Sequence, residues 1–277
     1  DRGQAQIEIS STRGGTATIV ASHVNNPKGK RINVTFTADN ATAKVIVLSA
    51  DKTTAAANGR ETIVLRAEVM DNNGNRVPAT NVSFSTSGGT LSANPAVTDP
   101  QGVASVQLTA IHMGDVTVTA KASADSSGKS TTLTFVADNT TATVRSLTAD
   151  RPEATANGKM TIAFTALLTD ANNNPVAGET ISFENSGGHL SQANAITDSN
   201  GNAQVTLNSL VAAPVTIKAT SATDATGKST RVNFVADKTT AAIASLTADR
   251  DMATADGRDS ISLTALVQDG HGNPVEG

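Results

Sequence analysis

The chain repeats itself every 99 residues, and no other feature constrains its fold as strongly. The tetrapeptide ANGR at 57–60 returns as ANGK at 156–159 and as ADGR at 255–258. Phe135 and Phe234 keep the same interval. Because the register holds along the whole chain without an insertion, the sequence predicts tandem copies of one small domain rather than one large domain.

The period divides the chain into four parts. We expect the C-terminal part of a repeat at 1–39, complete repeats at 43–138 and 142–237, and the N-terminal part of another repeat at 241–277. Such a division is typical of a window from a longer array. The two end parts have incomplete sheets, so we expect unpaired strand edges there, with disorder or pairing between molecules.

Apolar and polar residues alternate within each repeat, which is the period of half-buried strands. The clearest run predicts four inward side chains in each copy: Ile63, Leu65, Ala67 and Val69; Ile162, Phe164, Ala166 and Leu168; Ile261, Leu263, Ala265 and Val267. Later strands of the first complete repeat predict three more inward sets: Ala104, Val106 and Leu108; Val116, Val118 and Ala120; Leu133, Phe135 and Ala137. Turns rich in Gly and Asn separate these runs.

About seven short strands in roughly a hundred residues predict an immunoglobulin-like β-sandwich. The fold class is therefore all-β, with tandem immunoglobulin-like β-sandwich domains arranged as an elongated rod. Cys, Trp and Tyr are absent from the sequence, so Phe84, Phe135 and Phe164 are expected to fill the core in place of a disulfide and its tryptophan. Burying one Phe is worth about 1.5–3 kcal/mol, so each small core should depend on its two or three rings.

Several short motifs in a constant order resemble the group 1 bacterial Ig-like domain of the intimin/invasin family of inverse autotransporter adhesins. The matching stretches are 156–159, 174–176, 183–191, 197–207 and 234–237. The resemblance implies an extracellular arm on the outer membrane of a Gram-negative bacterium, attached only through a β-barrel anchor that is absent from this segment. It implies a host-cell receptor only through a domain that is not present here.

Composition excludes several classes of function. Aromatic residues make up 2% of the chain, and the net charge of −4 comes from interspersed acids and bases, so we expect no nucleic acid partner and no ring stacking on sugars. The lack of Cys excludes thiolate metal sites. No apolar run is long enough to span a membrane.

We expect that the protein is not an enzyme and that it has no catalytic residues, no cofactor and no bound metal. A site built once per repeat would keep its ligands, but His23, His112, His189 and His271 fall at different repeat positions. They are interpreted as solvated loop and edge residues. No serine stands in a repeated set with a histidine and an acid.

Two acidic features have an ion-binding alternative. The loop at 71–75 begins like a calcium loop, but Arg76 and Val82 stand where an EF-hand needs Gly and Glu. A turn capped by Asx side chains explains the loop, and calcium remains the alternative. The junction acids are Asp138, Asp150, Asp237 and Asp249. For them we expect salt bridging or simple solvation rather than a shared ion.

The stretch FVADNTTATVRSLTAD at 135–150 connects the complete repeats, and a close copy follows at 234–249. Phe135 and Ala137 are expected to close one core, and Val144 and Leu147 to open the next. Only 138–143 lies between them, without Gly or Pro. A semi-rigid joint is therefore predicted.

These features favour a structural stalk or spacer that projects a distal binding domain, with neighbouring Ig-like repeats of the same chain as its partners. The alternative is that the repeats themselves bind a host protein or associate between cells.

Overall fold

Strands form wherever apolar and polar residues alternate in the complete repeats. A computed structural model describes residues 3–276 of the chain. The chain divides into two units, of which the first ends at Val136 and the second begins at Ala137. Each unit contains one complete repeat with a core of its own.

The first unit begins with a two-stranded antiparallel hairpin, β1 (Gly15–His23) and β2 (Asn26–Phe36). A short 3-10 turn, Asn40–Thr42, leads into the complete repeat. The strands of that repeat are β3 (Lys44–Ala50), β4 (Thr54–Ala56), β5 (Ile63–Met70), β6 (Asn81–Thr86), β7 (Thr90–Leu91), β8 (Ala96–Val97), β9 (Val103–Thr109), β10 (Gly114–Ala122) and β11 (Lys129–Val136).

These nine strands form two sheets. One has the order β3-β5-β9-β7 and the other the order β4-β11-β10-β6-β8. Strand β4 pairs with β11 in parallel, and the other neighbours are antiparallel. Side chains from both sheets meet in one core, which confirms the predicted sandwich.

The second unit repeats this plan after a 3-10 turn at Asn139–Thr141. Its strands are β12 (Thr143–Ala149), β13 (Glu153–Thr155), β14 (Ile162–Thr169), β15 (Thr180–Asn185), β16 (His189–Leu190), β17 (Asn194–Ile196), β18 (Asn202–Asn208), β19 (Pro214–Ser221) and β20 (Asp224–Val235). The sheet orders are β12-β14-β18-β16 and β13-β20-β19-β15-β17. A third turn, Lys238–Thr240, precedes the antiparallel pair β21 (Ala242–Ala248) and β22 (Leu263–Gln268).

The predicted inward residues of both complete repeats are buried, with one exception. Phe84 and Phe135 lie in the first core, and Phe164, Phe183 and Phe234 lie in the second. The exception is Ala137, which was expected to close the first core. Strand β11 ends at Val136, and Ala137 packs against the second core instead.

The last part-repeat departs from the expected burial pattern. Ile261 is 40% exposed and Leu263 is 66% exposed, although their counterparts in both complete repeats are buried. The described part of this repeat contributes β21 and β22 to a single sheet, so its apolar side chains meet no opposing sheet within residues 241–276. Disorder or intermolecular pairing at these edges stays a prediction.

No helix described between residues 3 and 276 is both long enough and apolar enough to cross a membrane.

Candidate functional site at the repeat joint

An aspartate caps the short 3-10 turn that leads into each new repeat. The carboxylate of Asp138 accepts hydrogen bonds from the backbone N of Thr140 at 3.2 Å and from its Oγ1 at 2.6 Å. Asp237 accepts the same two bonds from Thr239, and Asp39 accepts one from the backbone N of Ala41. These caps satisfy backbone N–H groups that the turn leaves unpaired.

The junction acids were expected to be salt-bridged or solvated. Asp138 and Asp237 also cap the turns beside them. Asp150 does form an ion pair, with 3.1 Å between its Oδ2 and Nε of Arg151. Asp249 accepts a hydrogen bond from the backbone N of Ser262 at 3.0 Å.

A second aspartate, from the loop after β5, ties this turn to the body of the repeat. Oδ1 of Asp71 accepts bonds from the backbone N of Asn73 at 2.9 Å and of Asn75 at 2.8 Å. Oδ2 accepts from the backbone N of Asp39 at 3.0 Å and from Nδ2 of Asn75 at 2.8 Å. The side chain of Asp71 is buried, and all four of its acceptor positions face N–H donors.

The same arrangement recurs in the other two copies of the loop. Asp170 accepts at 2.8–3.0 Å from the backbone N of Asn172, Asn174 and Asp138, and from Nδ2 of Asn174. The corresponding donors to Asp269 are the backbone N of His271, Asn273 and Asp237, and Nδ2 of Asn273. The predicted Asx-capped turn is confirmed in all three copies.

These donors explain the lowered pKa values of two loop carboxylates, Asp71 and Asp269. Burial by itself would raise the pKa of Asp71, but the bond from the Asn75 side chain and the bonds from three backbone N–H groups outweigh it and lower the pKa from 3.8 to about 2. The same kinds of bond hold the pKa of Asp269 well below its usual range against the opposing effect of burial.

We expect acid to weaken this site between about pH 4 and about pH 2. The pKa of Asp71 is lower in the folded state, so its contribution to stability is complete above the unfolded pKa and is lost as the pH falls towards about 2. Urea unfolding over this pH range measures the loss. The variant Asp71→Asn has no group titrating at this position, so it should lose less stability over the same range, and an equal loss in both proteins would contradict the assignment.

A threonine hydroxyl adds a further link between turn and loop in every copy. Oγ1 of Thr240 accepts a bond from the backbone N of Gly270 at 2.9 Å. The equivalent distances are 3.3 Å from Asn72 to Thr42 and 3.2 Å from Ala171 to Thr141. The turn is therefore attached to the loop at two points.

The asparagine of this loop also reaches the preceding repeat within each unit. In the first unit, Oδ1 of Asn75 accepts from the backbone N of Gly14 at 2.8 Å, and its Nδ2 donates to O of Thr12 at 2.9 Å. In the second, Oδ1 of Asn273 accepts from the backbone N of Ala212 at 2.8 Å, and its Nδ2 donates to O of Leu210 at 2.9 Å. We call this pair of bonds the asparagine bracket.

Sequence reasoning treated these asparagines only as turn residues. A signal was nevertheless present, since Asn stands at 75, 174 and 273, whereas the position three residues earlier is Asn72, Ala171 or Gly270. An amide kept where its neighbours vary indicates a role for the side chain itself.

The geometry does not favour the calcium alternative at the loop. A cation would have to displace N–H donors from the Asp71 carboxylate, which has no acceptor position left over. Within residues 3–276, no three His, Cys, Asp or Glu side chains are grouped as a metal site requires. The four histidines are exposed and lie on strands and loops, as predicted.

A family model described as "Bacterial Ig-like domain (group 1)" matches residues 45–136 and 144–235. Intimin of Escherichia coli O127:H6 is 37% identical over 163 residues, which cover 58% of this chain and 17% of intimin. The inverse autotransporter adhesin YeeJ of Escherichia coli K12 is 32% identical over 286 residues, which cover 100% of this chain and 12% of YeeJ. The chain thus spans less than a fifth of the length of either relative.

Among solved structures, InvD of Yersinia pseudotuberculosis superimposes with a TM-score of 0.60 at 18% identity, covering 86% of this chain and 73% of InvD. FdeC of Escherichia coli superimposes with a TM-score of 0.58 at 19% identity, covering 88% of this chain and 78% of FdeC. At these identities the likeness concerns the fold alone.

Proposed function

Because this chain belongs to the bacterial Ig-like domain (group 1) family, whose repeats occur in adhesins such as intimin, we propose that it is a structural spacer of a surface adhesin. In this role it projects a distal binding domain away from an outer-membrane anchor, and a host receptor is contacted through that domain. The chain performs no catalytic step. Its contribution is reach and direction.

The observation that carries the proposal is the hydrogen-bonded joint. A free tether would be rich in Gly and Ser and would leave its backbone solvated. Here the turn at Asn139–Thr141 is capped by Asp138, whose own N–H donates to the buried Asp170. These bonds fix 138–141 to the second complete repeat, so fewer backbone torsions of the connection are free than in a tether of equal length.

A repeat of this kind lengthens an arm efficiently. A strand of eight residues such as Ile162–Thr169 spans about 26 Å at 3.3 Å per residue. Each repeat is therefore expected to add a few tens of ångströms to the arm. Length then grows with repeat number.

We expect a Gly-Ser-Gly-Ser insertion after Thr140 to shorten the mean end-to-end distance in solution, because it separates the capped turn from the loop that anchors it. Small-angle X-ray scattering of the full chain measures the change. The same insertion after Ser126 serves as the control, since Ser126 lies in the loop between β10 and β11 of one sheet. A compact globule before insertion, or equal scattering from both insertions, would refute the spacer.

A further inference from the structure

We propose that the asparagine bracket recognises the main chain of the preceding repeat and not its side chains. The bracket can then bind any repeat whose loop presents a backbone carbonyl and the backbone N–H two residues later. This inference rests on the proposed spacer function and identifies what the joint of that spacer binds. It implies that one repeat can follow another without a matched loop sequence.

The orientation of the bracket amide is determined by the buried carboxylate behind it. Asp71 is an acceptor when ionised, so the group of Asn75 that faces it at 2.8 Å has to be the NH₂. The remaining N–H of that NH₂ points at O of Thr12, and Oδ1 is left to accept from Gly14. Asp71 therefore orients the Asn75 amide so that its Nδ2 faces a carbonyl oxygen and its Oδ1 faces a backbone N–H.

The same orientation holds at the last joint. Nδ2 of Asn273 donates to Oδ2 of Asp269 at 2.8 Å and also to O of Leu210. In both joints the recognised atoms are a carbonyl oxygen and the N–H two residues later. The carbonyl oxygen lies 2.9 Å from Nδ2 and the backbone N lies 2.8 Å from Oδ1 in each joint. The two joints therefore make the same pair of hydrogen bonds at the same distances.

The two recognised loops share almost no side chains. The first contains Thr12, Arg13 and Gly14, and the second contains Leu210, Val211 and Ala212. Thr12 and Arg13 are exposed, Leu210 is 52% exposed and Val211 is 63% exposed. The two loops therefore differ in polarity and charge while making the same pair of bonds.

A serine shapes the loop in both cases. Oγ of Ser11 accepts from the backbone N of Arg13 at 3.0 Å and donates to its O at 2.9 Å. Oγ of Ser209 makes the same two bonds with Val211, at 3.0 and 2.8 Å. Such local serine bonds hold a tight turn, so the loop presents its peptide groups before the bracket closes on them.

The position that donates to the bracket carries a small residue in both loops. It is Gly14 in the first and Ala212 in the second. A Cβ added to Gly14 would lie 3.7 Å from Oδ1 of Asn75, which is an ordinary contact. A methyl group is therefore accepted here, in agreement with Ala212.

Hydrogen exchange of the Ala212 amide in the full chain tests the proposal, because this N–H bonds directly to the bracket. Asn273→Ala is expected to raise its exchange rate by about tenfold or more. Val211→Ala, beside it in the loop, is the matched control and should leave the rate within about twofold. The amide of Ser262, which bonds to Asp249, reports whether the last part-repeat stays folded.

A loop graft separates main-chain from side-chain recognition. The triple variant Leu210→Thr, Val211→Arg and Ala212→Gly places the first loop's residues in the second joint. After correction for the intrinsic rates, protection of the amide at 212 should remain within about twofold of the parent. Loss of protection in the graft with Ser262 unchanged would overturn main-chain recognition, and so would an unchanged rate in Asn273→Ala.

These outcomes are independent of the spacer test. Protection of the amide at 212 reports the bracket alone, whereas scattering reports the length of the chain. An intact bracket in a compact molecule would refute the spacer and leave the recognition standing. An extended molecule in which the amide at 212 is unprotected would support the spacer and refute the recognition.

Discussion

Replacing Asp71 by alanine should lower the free energy of unfolding of the first complete repeat by about 3 kcal/mol. The carboxylate is buried and accepts four hydrogen bonds, so its removal leaves N–H donors of Asn73, Asn75 and Asp39 without this acceptor. An orphaned buried donor costs about 1–3 kcal/mol, and because these donors are only partly buried, water recovers part of that cost. The loop and the joint turn lose their common anchor together.

Urea unfolding followed by far-ultraviolet circular dichroism measures this change. Asp99→Ala is a suitable control, since Asp99 also caps a turn, accepting from the backbone N of Gln101 and Val103, but is exposed and accepts these bonds within its own turn. That variant should cost about 1 kcal/mol or less. Equal losses in the two variants would mean that Asp71 is only a turn cap.

Truncating Phe164 to alanine should destabilise the second complete repeat by about 3–5 kcal/mol. The ring is 0% exposed, at the centre of a core that contains only two other aromatic side chains among its described residues, Phe183 and Phe234. The cost combines lost burial with the cavity that remains. Since small domains are stable by only about 5–15 kcal/mol, this repeat would be close to unfolding at room temperature.

The urea transition of the full chain should therefore split, with one repeat unfolding early and the other unchanged. Met160→Ala, which truncates a side chain that is 40% exposed two residues before β14, is expected to shift the transition by less than about 1 kcal/mol. A single unsplit transition in Phe164→Ala, with the parent midpoint, would show that this core tolerates the cavity.

Much of the fold was predictable because its determinants are local. Alternation assigns Ile63, Leu65, Ala67 and Val69 to one face of β5 whatever the rest of the chain does, and all four are buried. The Asx-capped loop was predictable for the same reason, since Asp71 bonds to backbone N–H groups only two and four residues ahead. The same pattern was insufficient for Leu263, because burial also requires an opposing sheet.

The joint was only half predictable. A short connection without Gly or Pro indicated stiffness, but the alternation along the stretch assigned Ala137 to the first core, whereas it packs against the second. That choice follows from the end of β11 at Val136 and from the bond between the Asp138 backbone and Asp170, 32 residues away.

The sequence by itself determined the 99-residue period. It also determined the all-β class, nearly all inward residues of the complete repeats and the turns, since these depend on residues near one another in the chain. Tertiary structure alone decided what holds the part-repeat to the complete repeat within each unit. Asn75 and Asn273 reach peptide groups 61 and 63 residues away, and whether those groups face an amide depends on how loops from two repeats approach in space. Nearly every residue has a backbone carbonyl and an N–H, so recognition through these groups places few demands on the side chains of the recognised loop.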